Sequence, residues 1–257
     1  MKKTIIAAAV LAAMTSCNKT IIETPMADYG SISLGVTADT EMVVTKSGTL
    51  TEDAAKDYII TLSGSKKSWE LKYSDITKEA RTMPAASDYT MSAKNISDDA
   101  AVEGNGAMQL VSPETQVIVK AGQTTSVQLS CVVANSKVTV AFADGFDGVF
   151  TCDNEPVTLD PDGRNIAMTP GAHEAETTEV AWFNAGTTVN WTLSVTVNST
   201  SISKTYKGSF NAAARTWNQL TFAAGTDGTV TLSITVDETT VEVPVEEIID
   251  PLDEDQQ

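Results

Sequence analysis

Few residues of this 257-residue chain could carry chemistry, and their spacing decides what they can do. One histidine, His173, lies in the run Gly171-Ala172-His173-Glu174-Ala175-Glu176. A histidine beside two acids could help hold a metal, but no second histidine supports it and no Cys-x-x-Cys pair occurs, so the run reads as a solvated loop without a metal. No Gly-x-Ser-x-Gly elbow and no phosphate loop are present. Asp160-Pro161-Asp162-Gly163, and Asp144-Gly145 with Asp147-Gly148, place acids beside glycines. Calcium loops need further oxygens at fixed offsets and a closing bidentate acid, which neither stretch supplies, so both read as turns. Among 34 acids no spacing singles out a pair for glycoside hydrolysis. The chain is therefore expected to be no enzyme and to need no cofactor. Cys131 and Cys152 fall in strand-like runs and read as buried free thiols, with a disulfide in an oxidising compartment as the alternative. Trp217, out of phase with Leu220 and Phe222, and Trp182 beside Phe183 are candidate rings for stacking a sugar. An ordinary packing role competes for both.

The remaining cysteine is Cys17. Lys2 and Lys3 precede an apolar run over residues 5–13, and Met14-Thr15-Ser16 leads into the cysteine. The run is too short to span a bilayer, where about 20 apolar residues are needed. This layout is similar to a bacterial lipoprotein signal: residues 1–16 are expected to be removed and Cys17 to carry the lipid. Each buried methylene of a palmitate-like chain contributes about 0.8 kcal/mol, so several chains hold a protein at a membrane without a transmembrane helix. Residues 17–27 then form a lipidated tether. The expected address is the cell outer membrane, surface-exposed. The formal net charge is −17, and loss of Lys2 and Lys3 makes it more negative. Such a surface repels nucleic acid, which is not an expected partner.

The elements that must position these residues are strands. Ile32, Leu34 and Val36 alternate with Ser33, Gly35 and Thr37, and Val127, Leu129, Cys131 and Val133 with Ser126, Gln128 and Ser130. Val189, Trp191, Leu193, Val195 and Val197 make the clearest run, and Asp227-Gly228 is a hairpin turn before Val230. Helical spacing is confined to short stretches at 50–56 and 74–80. Strands at short spacing with turns between them predict an all-β chain of two tandem antiparallel sandwiches. The division is placed at a polar turn, Asn135-Ser136, giving domains at 28–134 and 135–245 and an acidic tail at 246–257. Val241, Val243 and Val245 alternate with Glu242, Pro244 and Glu246, and the proline marks an edge strand.

Several stretches then carry a family likeness: Thr45-Lys46-Ser47; Trp69 with Tyr73-Ser74-Asp75-Ile76; Pro84 with Tyr89-Thr90-Met91-Ser92-Ala93; Val119-Lys120-Ala121-Gly122-Gln123-Thr124-Thr125-Ser126-Val127; and Cys131 with Asn135-Ser136-Lys137-Val138-Thr139-Val140. In this order the chain resembles an uncharacterised family of Bacteroidales lipoproteins, a domain of unknown function that is similar to the fimbrillins of type V pili. The likeness covers most of residues 28–245. It implies transthyretin-like sandwiches, a cut after the first strand at a basic residue, and filling of the vacated groove by another subunit's strand. The matching positions are Lys46 for processing and Val241, Val243 and Val245 for the donor. Lys46 stands where an arginine is usual, and an acidic tail follows the donor. The expected function is a non-catalytic, lipid-anchored structural or adhesive subunit. Its partners are the outer membrane and other fimbrial subunits. The alternative is a surface glycan-binding lipoprotein, with Trp182 and Trp217 on the sugar.

Overall fold

The computed structural model describes residues 28–40, 48–49, 55–152, 156–171, 179–225, 229–236, 239–243 and 245–248. Cys17, Lys46, His173, Asp227, Gly228, the signal stretch, the tether and most of the tail lie outside the described residues.

Nine strands come from the first half: β1 (Tyr29–Asp39), β2 (Gly48–Thr49), β3 (Ile59–Ser63), β4 (Trp69–Lys72), β5 (Thr82–Pro84), β6 (Ala86–Lys94), β7 (Leu110–Val111), β8 (Thr115–Val119) and β9 (Thr124–Val133). They form a sheet ordered β2-β1-β9-β7-β6-β3-β4, with β5 on β1 and β8 on β6. Period-two sequence explains the burial. Ile32, Leu34 and Val36 of β1, Met91 and Ala93 of β6, and Val127, Leu129 and Cys131 of β9 enter one apolar cluster. Since β-branched and aromatic side chains fit a pleated surface, these runs favour strand over helix.

The second half supplies β10 (Asn135–Phe142), β11 (Phe150–Thr151), β12 (Val157–Pro161), β13 (Ile166–Met168), β14 (Ala181–Asn184), β15 (Thr188–Val197), β16 (Ile202–Asn211), β17 (Trp217–Ala224), β18 (Val230–Val236), β19 (Thr239–Val243) and β20 (Glu246–Ile248). One sheet runs β14-β10-β17-β18-β19 and another β13-β12-β15-β16-β20. Their inner faces share a second cluster, in which the rings of Trp191 and Phe222 meet edge-on at 5.2 Å. That contact ties sheet to sheet, as a sandwich requires.

The helices of full described extent are short: α1 (Lys78–Arg81), α2 (Asp98–Val102) and α3 (Phe146–Val149), with a 3-10 turn at Tyr73–Asp75. Thr77 and Ser97 cap α1 and α2 by accepting from Ala80 and Ala100. No helix among the described residues is long and apolar enough to cross a membrane.

Three local expectations change. Asn135-Ser136 is no turn: Ala134 alone separates β9 from β10, and Asn135 and Ser136 are buried within β10. Their polar groups have internal partners, so alternation read from side-chain type mistook a satisfied strand for a loop. The Asp144 to Gly148 stretch holds α3 instead of a bare turn. Cys152 is half-buried, because β11 ends at Thr151; Cys131 is buried, and the two are not joined by a disulfide. Two ladders also run parallel within the mainly antiparallel sheets: β1 on β9, and β10 on β17.

Candidate functional site

The first strand and its slot are the feature with the clearest built-in geometry. β1 lies parallel to β9 in continuous register from Ser31↔Thr124 to Asp39↔Val132. The Ser31 amide donates to the Gln123 carbonyl at 2.9 Å, and Tyr29 accepts from the Gly122 amide at 2.8 Å. By the two-residue period, odd-numbered amides of β1 face β9 and even-numbered ones face away. On that far edge β5 pairs with Tyr29, Gly30 and Ser31, and β2 with Thr37 and Ala38. Between them, residues 32–36 have no ladder partner among the described residues. The Tyr73 hydroxyl donates to the Leu34 carbonyl at 3.2 Å and caps one of these edge groups. Gly30 is required by space: a Cβ there would lie 2.3 Å from the Lys120 carbonyl oxygen.

The far end of β1 reaches the second half. Asp39 is buried, and its carboxylate accepts from the Arg215 guanidinium. Arg215 has φ +60°, a left-handed conformation, and its amide donates to the Asn135 carbonyl at 3.0 Å. Asn135 in turn accepts from the Gln109 amide at 3.1 Å through Oδ1 and donates from Nδ2 to the Ala107 carbonyl at 2.7 Å. Gln109 donates from Nε2 to Asp98 at 2.8 Å. That bond, and to a lesser degree Lys94, hold the Asp98 carboxyl below its usual range. The same seam includes Arg164 donating to the Val102 carbonyl, and the Trp182 amide donating to Asn105 at 2.7 Å. The chain has three arginines, and two of them bridge its halves here.

The tryptophans proposed for sugar lie on one row. Register pairs Lys137 with Trp182 on one side and with Trp217 on the other. Lys137 Nζ sits 3.7 Å from the centre of the Trp217 ring, a cation–π contact. Desolvation there pushes the Lys137 pKa down. Trp217 Nε1 donates to Thr139 Oγ1 at 2.9 Å, and Trp182 packs against the core of the first half. Both rings are half-buried and both have protein partners.

The alternating valines are divided between two sheets. β19 pairs with β18 from Val236↔Thr239 to Leu232↔Val243, so Val241 and Val243 stand in that ladder. β20 pairs with β16 of the opposite sheet, and Val245 between them is half-buried against the core. The C-terminal segment thus joins the outer edges of both sheets of one sandwich.

Other candidates hold less. Burial pushes the Cys131 thiol up to about 11, which leaves it a poor nucleophile. The Asp160 loop is a turn: the Gly163 amide donates to Asp160 Oδ1 at 2.7 Å, with Asp162 left-handed. No cluster of three or more metal-ligating side chains occurs among the described residues. A cleft of about 260 Å³ is lined by Thr151, Cys152, Ser194, Ser203 and Lys204. Hydroxyls and one ammonium there form no acid–base pair. Sequence reading missed the Asp39–Arg215 link; the one signal was the rarity of arginine.

Comparison with known proteins follows from this geometry. A family described as "Domain of unknown function (DUF4493)" matches residues 28–251. No curated protein matches the sequence. Among solved structures, a "putative cell adhesion protein" from Bacteroides eggerthii is similar at 11% identity and TM-score 0.50, covering 84% of this chain and 97% of that one. A "fimbrial assembly protein" from Parabacteroides distasonis gives 10% identity and TM-score 0.43, covering 84% and 100%. "Putative polysaccharide binding proteins" from Bacteroides thetaiotaomicron give 9% and 0.46, covering 84% and 98%. At these identities the likeness concerns the fold alone.

Proposed function

Because the chain belongs to the DUF4493 family, described as a domain of unknown function, its role must be argued from its own strands, and we propose that it is a non-catalytic, lipid-anchored subunit of the cell envelope with a structural or adhesive task. Two sandwich domains, 28–134 and 135–245, form its body, and Cys17 carries the lipid that holds it to the outer membrane. A structural neighbour described as a "putative cell adhesion protein" supports the same reading.

The observation that carries the reading is β1. Its side chains at 32, 34 and 36 complete the first core, yet its chain contacts are one full ladder and two short ones at its ends. A strand of this kind can be exchanged, because its loss exposes an apolar groove with a row of unpaired amides on β9. Lys46 follows it and is the processing residue; Val241, Val243 and Val245 of another copy are the replacement. The glycan reading is not adopted, since Trp182 and Trp217 are engaged within the chain.

Sequencing the amino terminus of the mature surface protein tests this. A population beginning at Ser47 is expected beside lipidated Cys17. Finding lipidated Cys17 alone, in cells that polymerise the protein, removes strand exchange. Growth on labelled palmitate tests the anchor separately: an unlabelled polypeptide removes it.

A further inference from the structure

We infer that Arg215 reads the register of whatever strand fills the β1 slot, accepting one that places an acid directly after its last inward apolar side chain; this rests on the strand-exchange reading above. In β1 the inward residues are Ile32, Leu34, Val36 and Ala38, and the acid is Asp39. Asp39 meets Arg215, 176 residues away in sequence.

The backbone of Arg215 is anchored from outside β1. Its amide is held by the Asn135 carbonyl, and Asn135 by Gln109 and Ala107. None of these residues lies before Lys46. Removing the chain up to that residue takes away Asp39 and leaves the guanidinium aimed at the end of the vacated groove. A strand that brings a carboxylate there restores a largely desolvated ion pair, and one that does not leaves the arginine without it.

The C-terminal segment matches this demand in one register. Laying Val241 on Leu34 places Val243 on Val36, Val245 on Ala38 and Glu246 on Asp39. Moving the segment two residues one way puts Pro244 at the acid position; moving it two the other way drives Glu247 into the core. The fitting register sets Pro244 where Thr37 stands, on the side facing β9, and so gives up one donor to that ladder. Charge at Arg215 therefore selects the alignment that backbone bonding alone favours less.

The test uses the full chain with a site-specific protease sequence at residues 45–47, cut, and offered a labelled synthetic peptide of residues 239–248. Exchange is followed by fluorescence anisotropy. The expected result is uptake of the natural peptide, uptake weakened about tenfold or more by Glu246→Gln, and little change with Glu247→Gln. An Arg215→Gln chain should bind the natural and Glu246→Gln peptides alike. Equal uptake of both by the unaltered chain overturns the inference and leaves strand exchange standing. No uptake of any peptide overturns both. The peptide arm needs no substitution at Arg215 or in the slot.

Discussion

Each half of the molecule opens with a strand that runs parallel to a later one, and the two opening strands differ in how they are held. β10 lies inside its sheet, with β14 on one edge and β17 on the other, and Ala134 alone joins it to β9. β1 has β9 beside it from Ser31 to Asp39, but β5 and β2 only at its ends on the other side. The inward Val138 and Val140 of β10 are at most 1% exposed, whereas Ile32, Leu34 and Val36 of β1 range from 3 to 7%. Similar sequence patterns thus give one strand with neighbours on both edges and one that relies on a single long ladder, two short ones and an end clamp. Local opening follows backbone contacts and buried surface, so β1 is expected to open more readily than β10.

The cores sharpen the contrast. The second is built around aromatic rings: Trp191 against Phe222, and Phe146 between Phe142 and Phe150. The first is mainly aliphatic, with Met83, Met91 and Tyr89 filling its centre. Trp191→Ala, which empties the largest buried side chain, should cost about 3–5 kcal/mol and unfold the second half first in urea. If the first half melts at the same midpoint, the halves are one cooperative unit and the comparison fails. Trp191 Nε1 has no hydrogen-bond partner among the described residues, so Trp191→Phe should cost far less than the alanine change.

Leu34→Ala in β1 should cost about 2 kcal/mol, the low end of the range for a buried leucine, against a value nearer 4 kcal/mol for Leu220→Ala in β17. Equal losses by urea titration would mean that β1 is packed as firmly as the centre of the second sheet. Asp39→Asn should cost about 1–3 kcal/mol, since the pair is largely but not wholly buried. It should also speed hydrogen exchange of β1 amides more than those of β10; uniform protection would break the assignment of Asp39 as an end clamp.

The smallest effect concerns pH. The folded pKa of Asp98 is held below its unfolded value by Gln109 and then Lys94. Its stabilisation is present above the unfolded value of about 3.9 and fades as pH falls below that through the folded value. Asp98→Asn should slightly flatten the acid limb of a stability-against-pH curve. An unchanged limb would show that the Gln109 contact leaves the seam's stability alone.

Much of the strand content was legible because a strand's side-chain period is two and its apolar members must share a face. Val189 to Val197, the β9 run and the β1 run all fell where the alternation put them. The same rule failed at Asn135-Ser136, where polar side chains occupy buried strand positions with their hydrogen bonds satisfied from residues 107, 109 and 216. It also left Trp182 and Trp217 open, since phase tells which face a ring takes and nothing of what covers that face. Lys137 covers one, and the first half covers the other.

Composition and alternation by themselves determined that this chain folds mainly from strands, because burial of one face of a pleated ribbon is a local property of neighbouring residues. Which strands run parallel, which edge stays open, and that Asp39 meets Arg215 were decided in the folded chain. Those facts depend on pairing between segments far apart in sequence, and no local pattern encodes a partner 176 residues away.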